Sequence, residues 1–338
     1  MSPRVAVAIP NWNGERFLTA CLTSLRGQSF GDFMTIVVDN GSTDGSLELL
    51  ENSFPEVRVV PLGENRGVAA AFNAGVGASG AELVVLLNND TEQDPGWLDA
   101  LVRAAEDHPE AGFFASKLVD FHDRRVLDGA GDAVRLSGLP YRLGHGEKDR
   151  GQFDRPGYVF SACAAAALYR RGMLDEIGPF DEDFVSYCED GDLSFRAHLA
   201  GYRCLYVPEA VVYHMGSAST GGKRSAVATR LGTRNSLDLL VKNLPLSAVP
   251  HVAPFFLAGQ LARLLTAAAT GTLGAHLEGL AGAWRHLPLM LRKRAEIQKV
   301  KKIPDDEVRR LLKESSLAAT ASIARRLRDR ALNGTPAR

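Results

Sequence analysis

The chain has 338 residues, 45% of them hydrophobic and 23% charged, a composition that is typical of globular proteins and excludes a disordered or fibrous chain. Its net charge of −1 hides an asymmetry, because residues 1–214 carry 18 Lys and Arg against 32 Asp and Glu, whereas residues 215–338 carry 21 against 8. The acidic part is suited to holding a divalent cation, and the basic part is suited to contacting phosphate groups of lipid, nucleic acid or nucleotide.

Strands and helices alternate over the first 107 residues. Apolar runs predict strands in RVAVAIP, FMTIVVD, VRVVPL and ELVVLL, and helical spacing follows each of the first three. Asp94 and Pro95 open a fourth helix, which is predicted from about Trp97 to Asp107. We therefore predict an α/β fold with a mainly parallel sheet flanked by helices.

The middle of the chain changes pattern. Residues 120–158 are polar and glycine-rich, and a segment of that length inside a compact domain is typical of a functional lid or binding loop. The sequence YVFSACAAAALYRR then predicts a buried apolar segment, and EDGDLSFRAHLAGY predicts a helix with acidic residues at its start. CLYVPEAVVYH predicts an extended segment that ends at His214.

Residues 241–338 are predicted to be a helical, basic region. Its apolar stretch is interrupted by Gln260 and Arg263 before it reaches the ~20 apolar residues of a membrane span. The basic stretch RHLPLMLRKRAEIQKVKK follows. This combination favours an interfacial segment on an anionic membrane. The alternatives are a helical packing domain with a solvated basic face and a homodimer interface.

Polar residues follow each of the four predicted strands. They are Pro10 with Asn11, Asp39 with Asn40, the segment 63–66, and the segment 88–90. The carboxyl ends of parallel strands meet at one edge of a sheet, and open α/β sheets bind ligands there. This edge is the candidate site.

Six segments in order carry a resemblance to a known family. They are VAIPNWNGERFL, VVDNGSTDGS, ENRGVAAAFNAG, LLNNDTEQDPGWL, GPFDEDFVSYCEDGDLSFR and YHMGSAS. Together they resemble the family 2 glycosyltransferases with a GT-A fold, and within them the rhamnosyltransferase-type inverting enzymes. The resemblance implies a catalytic domain over residues 1–240, with a nucleotide-binding half at about 1–115 and an acceptor-binding half at about 116–240.

The resemblance implies how a nucleotide-sugar donor is held. Asp39 binds the base, while an Asx turn in DNGSTDG is the competing explanation of that residue. Asn88, Asn89 and Asp90 stand at the family's DxD motif; because Asn88 replaces the first Asp, only Asp90 is a firm ligand for Mg²⁺ or Mn²⁺. His214 completes the metal or diphosphate site. The implied nucleotide-sugar-binding residues are Pro10, Asn11, Asp39, Asn65, Arg66, Asn88 and Asn89.

The implied catalytic carboxylates lie in YCEDGDLSFR. By resemblance, Asp190 is the base that takes the proton of the acceptor hydroxyl, and Glu189 orients the acceptor. The competing explanation is a favourable interaction of acidic residues with the helix dipole, although two adjacent carboxylates plus Asp192 exceed what capping requires. Arg230 and Arg234 are further candidates to approach the diphosphate.

The predicted activity is metal-assisted transfer, with inversion, of a sugar from a nucleotide-diphosphate sugar to a glycan or lipid-linked acceptor. The resemblance favours dTDP-rhamnose, ahead of UDP-hexoses or UDP-galactofuranose, and a role in cell-wall or polysaccharide biosynthesis. Four cysteines without CxxC spacing and a start without a signal-peptide pattern favour the cytoplasm. We expect peripheral placement on the cytoplasmic face of the membrane.

Three other classes fit the sequence less well. A Rossmann oxidoreductase needs G-x-G-x-x-G after its first strand, and PNWNGE does not supply it. A nucleotidyltransferase needs a glycine-rich basic loop at the same place. A catalytically silent binding protein that docks on membrane or nucleic acid does not need Asp39, Asp90 and Asp190, and nucleic acid is disfavoured because no aromatic residues interleave the basic ones. The absence of Q-x-x-R-W disfavours a processive synthase.

Overall fold

A computed structural model describes residues 3–216 and 225–333, with side chains described as far as residue 329. The end of the motif YHMGSAS, from residue 217 onwards, lies outside the described residues. The strands are β1 Val5–Asn11, β2 Phe33–Asp39, β3 Arg58–Pro61, β4 Leu83–Leu87, β5 Thr91–Gln93, β6 Ala111–Asp120, β7 Leu127–Ala130, β8 Asp132–Val134, β9 Pro140–Arg142, β10 Gly157–Val159, β11 Ala166–Arg170 and β12 Arg203–His214.

One large sheet runs in the order β10-β12-β6-β11-β4-β1-β2-β3. The first four strands are mutually parallel, as predicted. Strand β11 is antiparallel to both β4 and β6, and β12 is parallel to β6. Consequently β1, β2, β4, β6 and β12 all end at the same edge of the sheet. All five residues of β4 are buried, as expected for a strand covered on both faces.

Helices cover both faces of the sheet. The helical residues Leu22 and Trp97 belong to the core on one face, whereas the helical residues Phe72 and Leu193 belong to the core on the other. The helices are α1 Glu15–Arg26, α2 Ser46–Ser53, α3 Val68–Gly77, α4 Trp97–Asp107, α5 Arg171–Ile177, α6 Glu189–Leu199, α7 Ala226–Asn243, α8 Val249–Ala269, α9 Leu273–Val300 and α10 Asp305–Asn333. The predicted bounds of α4 are confirmed.

The polar segment 120–158 is more regular than the sequence indicates. It contains β7 and the two-stranded antiparallel sheet of β8 and β9. We call residues 127–147 the hairpin segment. The pairing of its strands is not predicted by the sequence, because the strands have only three or four residues and glycines interrupt them.

Helix α10 packs against the hairpin segment. The backbone N–H of Val134 donates to Ser315 Oγ at 2.8 Å, and the backbone N–H of Gly144 donates to Ser322 Oγ at 2.9 Å. Arg325 Nε lies 2.9 Å from an oxygen of Glu147, a carboxylate that is 1% exposed and also accepts from Ser322. Helix α10 therefore supports a segment that lies between 175 and 181 residues earlier.

The C-terminal region is helical, as predicted. Helix α7 runs through residue 240 and packs on both α6 and α9, and the domain boundary at 240 stays a prediction. Buried ion pairs join α7 to α6, since Lys242 Nζ lies 2.7 Å from Asp192 Oδ2 and 2.6 Å from Asp181 Oδ2.

One described helical stretch, Leu246–Ala269, is long and apolar enough to cross a membrane by length and composition, and 11% of its most apolar window is buried. The sequence predicted that Gln260 and Arg263 interrupt this stretch before it reaches the length of a membrane span. The structure turns Arg263 toward α7, where its guanidinium donates to Ser236 Oγ at 2.8 Å and Thr233 Oγ1 at 3.0 Å. The outward face is therefore left apolar, with Leu257, Leu261 and Leu265 between 58% and 66% exposed.

Candidate active site

The ends of β1 and β4 are joined by an amide pair. Asn89 Nδ2 donates to Asn11 Oδ1 at 2.7 Å, and Asn11 Nδ2 donates to Ser42 Oγ at 3.2 Å. A Cβ at Gly14 would collide with both amides, so the glycine leaves the space that the pair needs. Pro10 precedes this pair within β1 and faces Val38 in the neighbouring strand.

The ends of β2 and β3 carry the other residues predicted for the nucleotide. Asp39 is 3% exposed, and both of its oxygens lie within 3.3 Å of the backbone N of Ser42, a local turn contact three residues on that resembles the Asx turn foreseen as its alternative role. Asn40 Oδ1 accepts from the backbone N–H of Arg66, and Asn40 Nδ2 donates to Asn65 Oδ1 at 3.2 Å. The guanidinium of Arg66 is half exposed, 3.5 Å from Glu182 Oε2.

Asp90 and His214 meet where β4 and β12 end. His214 Nε2 lies 3.4 Å from Asp90 Oδ1, and His214 Nδ1 lies 2.7 Å from Asp128 Oδ2 in the hairpin segment. Burial lowers the pKa of His214, but the two carboxylates outweigh burial and raise it. Burial likewise opposes ionisation of Asp128, yet Arg142, His145 and His214 hold its pKa far below the usual value.

Arg142 connects this pair to the predicted base. Its guanidinium donates to Asp128 Oδ2 at 2.6 Å and to Cys163 Sγ at 2.8 Å. Ligand atoms of Asp132, Cys163 and Asp190 lie within 4.8 Å of one another. The structure thus brings Asp90, His214 and Asp190 into one chain of contacts, through residues that no motif had named.

Glu189 and Asp190 form an adjacent pair at the start of α6, in which Glu189 is buried and Asp190 is partly exposed. Burial and the charge of Asp190 raise the pKa of Glu189, whose Oε2 has no hydrogen-bond partner among the described residues. Desolvation also raises the pKa of Asp190, but the backbone N–H groups of Gly191 and Ala164 and the charge of Arg142 stabilise its ionised form. Two adjacent carboxyl groups with little solvent around them do not both ionise readily. The surroundings therefore favour a protonated Glu189 and an ionised Asp190.

The backbone before this pair is strained. Val185, Tyr187 and Cys188 have φ values of 62°, 70° and 68°, the left-handed region that residues other than glycine rarely adopt. Asn235 of α7 holds the segment, because its Nδ2 donates to the carbonyl oxygens of Phe184, Ser186 and Tyr187 within 2.8 Å. Such strain often accumulates at functional sites.

Comparison with known proteins agrees with this geometry. The family model described as glycosyl transferase family 2 matches residues 6–178. The chain belongs to glycosyl transferase family 2. The family and the GT-A fold predicted from the six motifs are confirmed, and the chain is a glycosyltransferase.

Relatives of this family 2 chain are moderately similar to it. It is 31% identical over 245 residues to the N-acetylglucosaminyl-diphospho-decaprenol L-rhamnosyltransferase of Mycobacterium tuberculosis, an alignment that covers 65% of this chain and 77% of the relative. Two solved structures share the fold with a TM-score of 0.55. One is the mannosyltransferase PcManGT from Pyrobaculum calidifontis in complex with GDP-Man and Mn²⁺, at 18% identity and covering 95% of this chain and 87% of that one. The other is TarS 1–349 of S. aureus in complex with UDP-GlcNAc, at 19% identity and covering 99% and 93%.

Two groups of this family 2 chain resemble cation sites. The first is Asp90 with His214, where the buried Nε2 lacks a hydrogen-bond partner among the described residues and stands beside a carboxylate; this nitrogen and oxygen pair suits Mn²⁺ better than Mg²⁺, which prefers oxygen ligands. The second is Asp132, Cys163 and Asp190. There the guanidinium of Arg142 already contacts the thiol, and burial raises the pKa of Cys163 so that it stays a neutral thiol. The first group fits a divalent cation better.

Three residues that the sequence analysis named near the predicted site make contacts with other parts of the protein. Asp192 is fully buried and paired with Lys242 and Arg196. Arg234 donates to the carbonyl oxygens of Asp183 and Phe184, and Arg230 lies 3.9 Å from Glu278. The described contacts do not bring either arginine to Asp90.

The sequence missed Asp128, Arg142 and Cys163. Their only signal was the polar, glycine-rich character of residues 120–158, which indicated a functional segment without naming its residues. The sequence neighbours of Asp128, Arg142 and Cys163 do not predict that these side chains converge. Their contacts depend on the pairing of β6 with β7 and of β8 with β9.

Proposed function

We propose that this glycosyltransferase moves one sugar from a nucleotide-diphosphate sugar to an acceptor hydroxyl with inversion, using Asp190 as the base. The observation that carries the proposal is the shared edge: the Asn11–Asn89 and Asp90–His214 pairs lie where strands of one sheet end, and Asp190, at the start of α6, lies near Cys163 and Ala164, which precede β11 at that edge. Donor-binding and proton-accepting groups therefore face one region.

Asp190 supplies the proton acceptor. Desolvation raises the pKa of Asp190, which makes it a stronger base than a fully solvated carboxylate. It takes the acceptor proton while that oxygen attacks the anomeric carbon, and a single displacement inverts the configuration. Glu189, in its protonated form, donates a hydrogen bond that orients the acceptor.

The donor is held by the opposite part of the edge. Asp39 and Asn65 bind the nucleotide, Arg66 approaches the diphosphate, and the amides of Asn11, Asn88 and Asn89 bind ribose or sugar hydroxyls, with Pro10 shaping the turn beside them. Asp90 and His214 would hold Mg²⁺ or Mn²⁺. A bound cation there would neutralise charge on the diphosphate leaving group.

For the donor we favour dTDP-rhamnose, and for the acceptor a lipid-linked glycan. The similarity to a rhamnosyltransferase named for a diphospho-decaprenol acceptor supports both. The alternatives are UDP-hexoses and UDP-galactofuranose as donors. Such an enzyme serves cell-wall or polysaccharide biosynthesis in the cytoplasm.

The test is a panel of sugar nucleotides with and without Mn²⁺, measured as nucleotide release and as transfer to a polyprenyl-diphosphate-linked N-acetylglucosamine. We expect dTDP-rhamnose to give the fastest transfer, with a product whose anomeric configuration is inverted by NMR. Stabilisation by NAD(P) alone, or binding of a sugar nucleotide without turnover, would contradict a transferase. Retained activity in Asp190→Ala would contradict the assigned base.

We also propose that α8 and α9 rest on an anionic membrane. Leu257, Leu261 and Leu265 form an exposed apolar row, Trp284 of α9 is 76% exposed, and Arg292 lies beside the exposed Leu291. Apolar surface with an interfacial Trp and nearby cations is typical of segments that lie in the headgroup layer.

Flotation with vesicles tests this surface. We expect the protein to float with phosphatidylglycerol vesicles and less with phosphatidylcholine, and the triple change of Leu257, Leu261 and Leu265 to Ser to abolish flotation. Leu317 and Leu327 of α10 are each 59% exposed, and changing both to Ser provides the matched control. A wild-type dimer that the triple change converts to a monomer, with no flotation by either, would instead identify the row as a dimer interface.

A further inference from the structure

Asp128 lies at the centre of the contacts that join the two halves of the site. Its Oδ2 accepts hydrogen bonds from His214 Nδ1 at 2.7 Å and from Arg142 Nη1 at 2.6 Å, and its Oδ1 lies 3.1 Å from His145 Nδ1. The residue is 7% exposed. The buried carboxylate of Asp128 thus holds both His214, in the donor half, and Arg142, in the acceptor half.

The backbone around Asp128 is arranged for this contact. In the pairing of β6 with β7, Leu118 faces Gly129 and Val119 faces Leu127, so Asp128 is the additional residue of a β-bulge. Bulges commonly redirect a side chain near a functional site. A Cβ at Gly129 would lie 2.7 Å from both Cγ and Cδ of Arg142, so this glycine lets the arginine stem reach Asp128.

The hydrogen bond from His214 to Asp128 determines which ring nitrogen of His214 carries the proton and which one faces Asp90. A carboxylate only accepts hydrogen bonds, so His214 Nδ1 must carry the proton. In the neutral ring the lone pair is then on Nε2, the atom that lies 3.4 Å from Asp90 Oδ1. A histidine fixed in this way by a carboxylate is the usual arrangement behind a metal-binding imidazole.

We propose that Asp128 is a positioning residue that acts through His214, holding Nε2 toward Asp90 and so strengthening the binding of a divalent cation. This inference rests on the proposed function, because it takes the cation site at Asp90 and His214 as its premise. Arg142 holds the same carboxylate from the other side, which keeps Asp128 from turning away from His214.

Mn²⁺ binding in the presence of saturating dTDP, with UDP in parallel, tests the proposal without requiring turnover. Free Mn²⁺ is measured by electron paramagnetic resonance for the full chain, for Asp128→Asn, for His214→Gln and for the double variant. We expect Asp128→Asn to weaken Mn²⁺ binding by about 10–100-fold, the usual cost of losing a carboxylate behind a metal-binding histidine. The double variant should bind Mn²⁺ no more weakly than His214→Gln, because Asp128 acts through that histidine.

The control is Asp123→Asn, which removes the same charge from an exposed turn just before the hairpin segment, where Asp123 contacts Arg125. It should bind Mn²⁺ as the wild type does. If Asp128→Asn does not fold because the partly buried Arg142 loses its partner, Asp128→Asn with Arg142→Met removes both charges and is compared with Arg142→Met alone.

The outcomes are distinct. Wild-type protein that adds no Mn²⁺ binding beyond that of the free nucleotide would overturn the cation site itself. Strong wild-type binding that Asp128→Asn leaves unchanged would overturn only the role of Asp128. A double variant weakened by the full product of the two single effects would also overturn that role, because the two residues would then act independently.

Discussion

The donor and acceptor halves of the site are built in different ways. On the donor side, Asn11, Asp39 and Asn89 directly follow strands or end them, and amide, hydroxyl and backbone groups join them. On the acceptor side, Asp190 lies among buried carboxylates and a guanidinium that come from the hairpin segment. The proposed donor half is supported by its own strand ends except at His214, which Asp128 of the hairpin segment holds, whereas the proposed acceptor half is supported by α7 and α10. Substitutions distant in sequence should therefore affect acceptor chemistry more than donor binding.

The largest expected effect is that of Asp190→Asn. Loss of the base should lower kcat about 10²–10⁴-fold and leave the KM for the sugar nucleotide nearly unchanged, as steady-state kinetics would show. Asn89→Ala, on the donor side, should mainly raise that KM. Equal losses of kcat in both variants would remove the proposed separation of roles.

Lys242→Met should give the largest loss of stability. It removes the ammonium that lies within 2.7 Å of both Asp181 and Asp192, and breaking a buried ion pair costs about 3–5 kcal/mol. Urea unfolding measures the change. Lys299→Met is the control, because Lys299 pairs with Glu296 at the surface, where a pair contributes about 1 kcal/mol or less. Similar costs for the two variants would show that the α6–α7 network does not support the acceptor half.

Ser322→Ala tests the support that α10 gives to the hairpin segment. The hydroxyl accepts from the N–H of Gly144 and donates to Glu147, and leaving a buried group without its partner costs about 1–3 kcal/mol. We expect lower stability in urea and a lower kcat, with the donor KM unchanged at saturating Mn²⁺. Thr320→Ala alters an exposed hydroxyl of the same helix and should change neither stability nor kcat. A raised donor KM in Ser322→Ala at saturating Mn²⁺ would show that the hairpin segment supports donor binding by a route other than the cation.

The last expected effect is a pH dependence of stability. Burial and Asp190 raise the pKa of Glu189, so the folded protein keeps a proton that the unfolded chain loses near the ordinary value of 4.5. Stability should therefore fall as the pH rises from that value through the raised pKa, by about 1.4 kcal/mol per unit of pKa difference. Glu189→Gln should flatten this fall in urea titrations from pH 5 to pH 8. If the stability of the wild type does not fall over this pH range, Glu189 does not hold the additional proton of the folded protein.

The sequence located the strand ends of the proposed donor half because strand ends follow local rules. A short apolar run that ends in polar residues identifies a strand end, and parallel strands bring such ends to one edge. Asn11, Asp39, Asp90 and His214 were placed at that edge in this way, with the family motifs. Their roles stay predictions that rest on the resemblance, since burial and hydrogen bonds alone fit Asp39 as a local turn residue.

The acceptor half was predicted only where a motif named it. Glu189 and Asp190 were found because they stand together at a helix start, but Asp192 in the same motif proved to be paired with Lys242 inside the protein. No feature of the local sequence distinguishes Asp192 from Glu189 and Asp190. Their difference arises from which face of α6 packs against α7.

The sequence by itself determined the fold class, the family and the strand ends, because apolar periodicity and ordered motifs are local properties of a chain. Only the tertiary structure decided that Asp128, Arg142 and Cys163 join the site, that Arg263 turns inward to leave an apolar face on α8, and that α10 supports the hairpin segment. These contacts link residues between 14 and 181 positions apart. Their formation depends on burial and pairing across the whole molecule, which no short stretch of sequence encodes.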